Sequence, residues 1–546
     1  MSMLATILNL TYNKSSAEHL REQQTGMMKA FSFFSKIVLK KSVLSLYLLL
    51  LKSQYHYDQT QYERTFKKLP TSSGLVKFSN HSVIFNLEGA LLKSSSYFPY
   101  FMLVAFEAGG VLRALVLLLF YPLIWLVGEK RGTKIMVFVS FAGIKKDRFR
   151  LGTSVLHKFL LEDVGNEGFD VMMRCRRKVG VTEFPRIMVE GFLKDYMGVD
   201  GVIGRELKVL NGYFVGIMEA KTTGRNVVNE VLGDEIMSCN VICIDGSNKS
   251  IDQQLFSSCK EIYMVTEAEK RSWQTLPRKR YPKPLIFHDG RLAFRPTPLE
   301  TLLMFMWLPL GFLAFTFRLI TPILLPYKAS LPALAMFGLR ITISTTTTTI
   351  TKHNPNNILY VCNHRTLLDP ICLSLCLMNS LTAVTYSLSR FNELISPIRT
   401  VRLVRDREKD KMTMEKMLSQ GDLVVCPEGT TCREPYLLRF SPLFAEMTDE
   451  IVPAALDMQV TMFHGSTASG LKCLDPAFYL MNPHPVYSIK ILNKLPASHT
   501  CKSGGKTRFE VANHVQKEIA NALGFQCTNL TRKDKYMVLA GNNGII

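Results

Sequence analysis

Short apolar strands alternate with helical segments across the C-terminal part of this 546-residue chain. The predicted strands begin at Ile358, Thr382, Val401, Leu423 and Ile451, and the predicted helices begin at Pro370 and Lys409. Strands and helices that alternate in this way pack as a parallel or mixed sheet covered by helices. The pattern therefore predicts an α/β domain over residues 330–546.

A histidine and an aspartate frame the loop after the first of these strands. Residues 358–362 are apolar, His364 follows them, and Asp369 stands before Pro370 at the start of a helix. Aspartate followed by proline is a common helix start, so Asp369 is expected to cap the helix, to orient His364, or to do both. A histidine held by a carboxylate can take a proton from an alcohol near neutral pH.

The fourth strand opens into a second polar loop. Residues 423–426 are apolar, and Glu428, Gly429 and Thr430 follow them, with Arg433 and Arg439 further on. Glycine and threonine after a strand end leave backbone N–H groups free for an anion, and the arginines add positive charge. This loop is therefore expected to bind a phosphate or a carboxylate.

Closely spaced arginines lie between the two loops. Arg402 and Arg405 end the strand-like stretch that begins near Thr400. Such a run is either a solvated surface or part of an anion site. Its position between two candidate site loops favours phosphate binding.

Four blocks, in order, resemble the motifs of glycerolipid acyltransferases. They are Asn363-His364 with Asp369, the arginine strand, residues 427–430, and Pro453 with its neighbours. Residues 428–441 and 283–291 resemble land-plant glycerol-3-phosphate acyltransferases in particular. The similarity extends from about residue 80 to the end of the chain.

The resemblance implies transfer of an acyl group from acyl-CoA to a hydroxyl of glycerol 3-phosphate, which gives lysophosphatidic acid. His364 is then the general base, Asp369 fixes its tautomer, and the alkoxide attacks the thioester without an acyl-enzyme. No metal is expected, and no cofactor besides the co-substrate acyl-CoA. The residues expected to bind substrate are Asn363, Arg402, Arg405, Glu428, Gly429, Thr430, Arg433 and Pro453.

Several finer points stay open. A lysophospholipid acceptor and a non-catalytic membrane scaffold are the alternative functions. The resemblance also implies selectivity for the sn-2 hydroxyl and a place in cutin, suberin or storage-lipid synthesis. Neither the acyl-chain preference nor the oligomeric state follows from the sequence.

The charge balance and two apolar segments point to a membrane. The net charge is +21, from 66 basic and 45 acidic residues, which suits an anionic bilayer surface and phosphate-bearing substrates. No zinc spacing or aromatic RNA-binding motif indicates nucleic acid.

Residues 114–128 and 301–317 are apolar but shorter than the roughly 20 residues of a membrane span. Each segment is expected to form a re-entrant hairpin or a kinked span. The second lies within a predicted membrane segment over residues 299–329.

The N-terminal residues 1–75 are predicted as a weakly ordered or membrane-surface leader. We expect the protein to reside in the endoplasmic reticulum membrane with its active site facing the cytosol, and a mitochondrial membrane is the alternative.

The twelve cysteines include no Cys-x-x-Cys pair, and reduced thiols are expected in the cytosol. Cys426 and Cys432 bracket the glutamate loop, but no base is expected beside them.

Residues 76–265 are predicted as a separate α/β domain, joined to the rest by a linker over 266–298. Residues 82–92 resemble the first motif of haloacid-dehalogenase-like phosphatases. Asn86 stands where that motif has its nucleophilic aspartate, and Glu88 stands at the general acid. An amide cannot form an aspartyl-phosphate and is a poor Mg²⁺ ligand. The fold is therefore expected without phosphatase activity.

Overall fold

The computed structural model describes residues 67–69, 78–220, 225–237, 240–246, 259–345, 357–386 and 388–544. Nearly all of the predicted leader lies outside these residues. The described residues divide into two compact units. The first unit ends at Pro284 and also includes Pro296–Pro298, and the second comprises Leu285–Arg295 and the chain from Leu299 onward.

The first unit is built on a five-stranded parallel sheet in the order β3-β2-β1-β6-β7. Its strands are β1 Ser82–Asn86, β2 Lys178–Pro185, β3 Gly201–Arg205, β6 Val241–Gly246 and β7 Glu261–Val265, and a separate hairpin pairs β4 Leu207–Leu210 with β5 Tyr213–Met218. The central β1 is buried throughout because β2 and β6 pair with its two edges. Asn86 and Glu88 thus lie at the carboxyl end of the central strand.

A helical insertion separates β1 from β2. The helices of this unit are α1 Phe98–Leu119, α2 Tyr121–Val127, α3 Glu129–Phe141, α4 Leu151–Ser154, α5 Leu156–Leu161, α6 Asn166–Arg174, α7 Arg186–Gly191, α8 Arg225–Met237 and α9 Glu267–Ser272. α1 is long and apolar enough to cross a membrane by length and composition. Gly110 breaks it, with a φ of 80° that disfavours side chains other than hydrogen.

The break at Gly110 separates a buried half-helix from an exposed apolar tip. Before Gly110 the side chains from Phe98 to Phe106 are in the core. After it, Leu112, Trp125 and Leu126 are 62–76% exposed. The prediction that residues 114–128 form one apolar segment is therefore wrong in its bounds. The apolar helix begins at Phe98, and its exposed part continues through α2 as a short helical hairpin.

The second unit is built on a seven-stranded mixed sheet in the order β11-β10-β12-β9-β14-β15-β8. Its strands are β8 Arg340–Thr345, β9 Leu359–Cys362, β10 Thr382–Thr385, β11 Arg399–Arg402, β12 Leu423–Val425, β14 Ile451–Gln459 and β15 Val486–Ile491, and a small pair joins β13 Tyr436–Leu437 to β16 Gln526–Cys527. β14 and β15 are antiparallel, and the other neighbours are parallel. The predicted mixed or parallel sheet is confirmed.

The two predicted site loops leave this sheet side by side. β9 and β12 are parallel neighbours, with Val361 opposite Val425. Parallel neighbours end at the same edge of a sheet, so the His364 loop and the Glu428 loop emerge together. The helices around the sheet are α10 Pro298–Leu324, α11 Tyr327–Met336, α12 Asp369–Leu377, α13 Arg390–Leu394, α14 Arg407–Leu418, α15 Asp475–Leu480, α16 Arg508–Leu523 and α17 Arg532–Ala540.

The apolar helix α10 is held against the second unit by polar contacts on one face. It passes the length and composition test for a membrane span. The Trp307 indole donates to the carbonyl of Met481 at 2.8 Å, and Arg318 donates to the carbonyls of Phe337, Leu480, Asn482 and Pro483. The opposite face exposes Met306, Leu313 and Leu324 at 54–72%. Arg318 thus points into the protein, where it satisfies carbonyl groups.

Residues 266–298 are not a free linker, contrary to the prediction. The stretch through Pro284 packs with the first unit and includes α9, whereas Leu285–Arg295 belongs to the second unit. His288 Nε2 lies 2.9 Å from Glu434 Oε1, and Asp289 accepts hydrogen bonds from the backbone of Ala468 and Ser469. The charge of Arg433 lowers the pKa of Asp289 despite its burial. The segment therefore fastens the loop that follows Glu428.

Arg433→Ala should lower the unfolding temperature of the second unit. The variant leaves Asp289 buried without its cation, and breaking a buried pair costs about 3–5 kcal/mol. Arg407 pairs with Glu446 at the surface and is 52% exposed, so Arg407→Ala should cost about 0–1 kcal/mol. Calorimetry of the two variants beside the parent chain measures the difference, and equal shifts would contradict this role of Arg433.

Candidate active site

His364 and Asp369 form a hydrogen-bonded pair in the loop between β9 and α12. His364 Nδ1 lies 2.8 Å from Asp369 Oδ2, and the imidazole side chain is 15% exposed while the carboxylate is fully buried. The bond uses Nδ1, which leaves Nε2 as the ring atom that can receive a proton. Of the two roles predicted for Asp369, orientation of His364 is therefore present in the structure.

Asp369 accepts hydrogen bonds from two parts of the chain. Besides His364, it accepts from the backbone N–H groups of Arg365 and Thr366 at 2.7 and 3.0 Å and from the Thr366 hydroxyl at 3.2 Å. The hydroxyl of Tyr487, on β15, also donates to it. These donors satisfy the oxygens of the buried carboxylate, which fixes both its position and that of the imidazole.

The environment of His364 favours its protonated form. Burial disfavours the imidazolium, but the neighbouring Cys426 and the Asp369 carboxylate outweigh burial and raise the pKa of His364 well above its ordinary value. A base with a raised pKa is a stronger proton acceptor but is free only at higher pH. The deprotonated ring therefore needs a higher pH than that of an ordinary histidine.

Glu428 and Asn363 hold the loops of the site by hydrogen bonds to the backbone. Glu428 is buried, and its two carboxylate oxygens accept from the backbone N–H groups of His364 at 2.7 Å and Leu438 at 2.9 Å. Burial raises the pKa of Glu428 to about 7. The Asn363 amide exchanges two hydrogen bonds with the backbone of Leu456. The polar atoms of both side chains hold the loops, and their predicted substrate contacts stay a prediction.

Cys426 lies beside His364, which the sequence analysis did not expect. The reactive atoms of His364, Asp369 and Cys426 all lie within 4.8 Å of one another. Such a cluster has the donor types of a metal site, but both Asp369 oxygens already accept several hydrogen bonds. The cluster is thus better suited to proton transfer than to metal binding.

A cationic cavity of about 500 Å³ opens next to this cluster. Arg439 and Arg532 line it together with Gly429. Arg405 does not line the cavity, but its guanidinium lies 5.9 Å from the ring of Tyr386, which does, and burial and the charge of Arg405 together lower the pKa of Arg532. Within the described residues, no carboxylate lies within 4.0 Å of these three guanidinium groups. Their uncompensated charge suits an anionic ligand.

An apolar cavity of about 180 Å³ meets the first at the same place. Its lining residues come from α10, α11, α12 and β10 and include His364, Leu319, Pro322, Leu334, Leu375 and Ala383. Cys426, Gly429, Val384 and Tyr386 line both cavities. His364 is therefore positioned where an apolar space adjoins a cationic one.

The other predicted substrate-binding residues do not line either cavity. Arg402 is exposed and pairs with Glu393 at 2.8 Å. Arg433 is bound by Asp289, Gly290 and Ser466, and the hydroxyl of Thr430 accepts from the buried Lys535 at 3.3 Å. Pro453 lies inside β14, opposite Val361. Of the predicted binding set, Glu428 and Gly429 line the cavities, and Arg405 lies near one of them through Tyr386.

The first unit contains a second buried polar cluster. Asn86 donates to Asp245 Oδ1 at 2.7 Å, and its own oxygen accepts from the backbone N–H groups of Glu88 and Gly89. Glu88 is bound by Thr182 and by two backbone N–H groups, and burial raises its pKa to about 7. Lys270 donates to the carbonyl of Glu88 at 2.8 Å.

Comparison with known proteins assigns both units. Residues 82–265 match the family described as glycerol-3-phosphate acyltransferase RAM2-like, HAD-like domain, and residues 343–458 match the acyltransferase family. The predicted haloacid-dehalogenase-like and acyltransferase folds are thereby confirmed. A structural likeness to the lysophosphatidic acid acyltransferase PlsC of Thermotoga maritima covers 40% of this chain and 95% of that chain, with 15% identity and a TM-score of 0.26, which is too low to add to the assignment.

Three plant proteins resemble the chain over most of its length. The probable glycerol-3-phosphate acyltransferases 3 and 2 of Arabidopsis thaliana are 51% and 53% identical to it, over 94% and 89% of this chain and 99% and 94% of theirs. Glycerol-3-phosphate acyltransferase RAM2 of Petunia hybrida is 44% identical over 84% of this chain and 97% of its own. The resemblance inferred from the four blocks is confirmed: the chain belongs to the plant glycerol-3-phosphate acyltransferase family.

Proposed function

We propose that the protein transfers an acyl group from acyl-CoA to a hydroxyl of glycerol 3-phosphate and releases lysophosphatidic acid. The observation that carries this proposal is that His364 lines an apolar cavity, which shares Cys426 and Gly429 with a cationic one. The acyl chain fits the apolar cavity, and the phosphate fits beside Arg439 and Arg532. The names of the plant relatives support glycerol 3-phosphate as the acceptor.

In the proposed reaction, His364 Nε2 takes the proton of the acceptor hydroxyl. The alkoxide attacks the thioester carbonyl carbon, the tetrahedral intermediate collapses with cleavage of the C–S bond, and the imidazolium returns its proton to the CoA thiolate. Asp369 keeps Nδ1 protonated and stabilises the imidazolium, which is the role of the carboxylate in other His-Asp pairs. The protein supplies no covalent intermediate in this scheme.

The exposed apolar helices support attachment to one leaflet of a membrane. Trp307 and Arg318 tie α10 to the second unit, so the helix lies along that unit and does not leave it. The exposed tip around Trp125 is followed by the basic residues Lys130, Arg131 and Lys134. Apolar side chains with adjacent lysine and arginine suit an anionic interface. We place this membrane in the endoplasmic reticulum with the site facing the cytosol, where acyl-CoA is found.

Finer aspects of the proposal follow the family resemblance. They are selectivity for the sn-2 hydroxyl and supply of cutin, suberin or storage lipid. A lysophospholipid as acceptor is the competing outcome of any assay that compares acceptors. The second competing outcome is a membrane scaffold without catalytic activity, which would give no product with any acyl-CoA.

His364→Ala should lower turnover by roughly 10²–10⁴-fold because the general base is lost. Activity of the parent enzyme should rise with pH through a pKa above the ordinary 6.5 of histidine, since only the deprotonated ring is a base. Asp369→Asn should move this rise to lower pH while reducing the maximal rate, because the carboxylate no longer stabilises the imidazolium. Initial rates across pH, with unchanged expression and membrane association as controls, measure both effects. An Asp369→Asn variant whose rate equals or exceeds that of the parent at every pH would contradict the pairing of His364 with Asp369.

Arg532→Ala and Arg439→Ala should each raise KM for glycerol 3-phosphate by roughly tenfold or more, since a charge-assisted contact contributes about 1.5–3 kcal/mol. The KM for acyl-CoA should change less. Arg402→Ala is the matched control, because Arg402 is exposed, pairs with Glu393 and lines neither cavity. If only the acyl-CoA dependence responds, the cationic cavity holds the phosphates of CoA.

The purified protein should form no monoacylglycerol from its own product. Asn86 has an amide where the attack on phosphorus needs a carboxylate, and that amide is bound to Asp245. Asn86→Asp alone should not restore hydrolysis, because Glu88 is a methylene longer than the family's aspartate and is held by Thr182. Thin-layer separation of labelled products tests both variants. Monoacylglycerol that disappears on Mg²⁺ chelation would contradict this assignment of the first unit.

A further inference from the structure

Two free thiols face each other next to the proposed base. Cys362 is the last residue of β9, and Cys426 follows β12 on the neighbouring parallel strand. Their sulfur atoms are 3.4 Å apart. Neighbouring strands are separated by about 4.7–4.9 Å, and disulfides join Cα atoms about 4.4–6.8 Å apart, so the backbone spacing permits a bond.

The two thiols differ in access from outside. Cys426 is half-buried and lines both the cationic and the apolar cavity, whereas Cys362 is fully buried behind it. A small oxidant that enters the site therefore meets Cys426 first, with Cys362 already in contact on the other side. This arrangement of one accessible and one resolving thiol is that of a redox-sensitive pair.

We propose that Cys362 and Cys426 form a reversible disulfide that stops acyl transfer at His364, a role that rests on the proposed function. The oxidant is a peroxide. The Cys426 sulfur attacks one peroxide oxygen, the O–O bond breaks, and Cys426 becomes a sulfenic acid as hydroxide leaves. The Cys362 sulfur then displaces the sulfenic hydroxyl, so that two thiols and one hydrogen peroxide yield one disulfide and two waters.

The resting pair is protected against weaker oxidants. The hydrogen bond with Cys362 and burial raise the pKa of the Cys426 thiol well above its ordinary value. A thiol with a raised pKa exchanges slowly with disulfides such as oxidised glutathione. The raised pKa also slows attack on peroxide, since the thiolate is the nucleophile, so the pair persists as two thiols and is oxidised only at high peroxide concentration.

Disulfide formation would act directly on the catalytic loops. Closing the gap from 3.4 Å to a bond of about 2.05 Å draws together the ends of β9 and β12. The residues that follow these ends are Asn363 and His364 on one strand and Pro427 and Glu428 on the other. Since Glu428 holds the backbone of His364 at 2.7 Å, the shift changes the position of the base.

The test treats the full-length protein in lipid nanodiscs with hydrogen peroxide and follows acyl transfer and peptide mass together. The parent protein should lose at least tenfold in rate and gain a linked peptide pair containing Cys362 and Cys426, and dithiothreitol should reverse both. Cys362→Ala should keep its reduced-state activity but lose it irreversibly under peroxide, because Cys426 then proceeds to the sulfinic acid. Cys527→Ser, which removes an exposed thiol outside both cavities, should behave like the parent.

The two measurements separate this inference from the proposed function. The disulfide would be overturned if the parent protein kept its acyl-transfer activity after peroxide and gave no linked peptide. It would also be overturned if dithiothreitol restored the activity of the parent and of Cys362→Ala equally. A linked peptide in a protein that never transfers acyl groups would overturn the proposed function and the regulatory role, and leave a redox-active thiol pair. The linked peptide is measured in the parent protein, so the test does not depend on folding of the variant.

Discussion

The buried carboxylate of Asp369 is the group on which the rest of the active site depends. A charge without water must be compensated by nearby donors. Asp369 obtains them from the His364 ring, the following loop backbone and the hydroxyl of Tyr487 on β15. One side chain therefore connects the base, the start of α12 and the antiparallel part of the sheet. Losing any of these donors changes the orientation and the basicity of the imidazole together.

A second constraint comes from the order of the strands. Because β9 and β12 are parallel neighbours, their loops leave the same edge, and the backbone of His364 can bond to Glu428 although 64 residues separate them. The two cavities meet at this edge, one lined by cations and the other by apolar helices. A phosphate-bearing acceptor and an acyl chain can then approach His364 from different sides. The same closeness of strands also brings Cys362 and Cys426 into contact.

The sequence predicted the elements and the contact of His364 with Asp369 because both depend on local patterns. Apolar runs identify β9 and β12, and Asp369 before Pro370 identifies the start of α12. The substrate-binding residues stay a prediction, because burial and long-range contacts decide which side chains reach the cavities. Arg433 resembles a phosphate ligand in sequence but is bound by Asp289, which lies in a stretch predicted to be a linker. Arg532 and Tyr487 carry no local signal, since their partners lie far away in the chain.

The most direct test of this account incubates the purified protein with labelled glycerol 3-phosphate and a panel of acyl-CoAs, and resolves the products by regioisomer. The account predicts labelled lysophosphatidic acid from the parent protein, with a rate that falls by roughly 10²–10⁴-fold in His364→Ala. It predicts no product when acyl-CoA is omitted. Lysophosphatidic acid formed at the same rate by the His364→Ala variant, or acylation of lysophospholipids alone, would contradict the central claim.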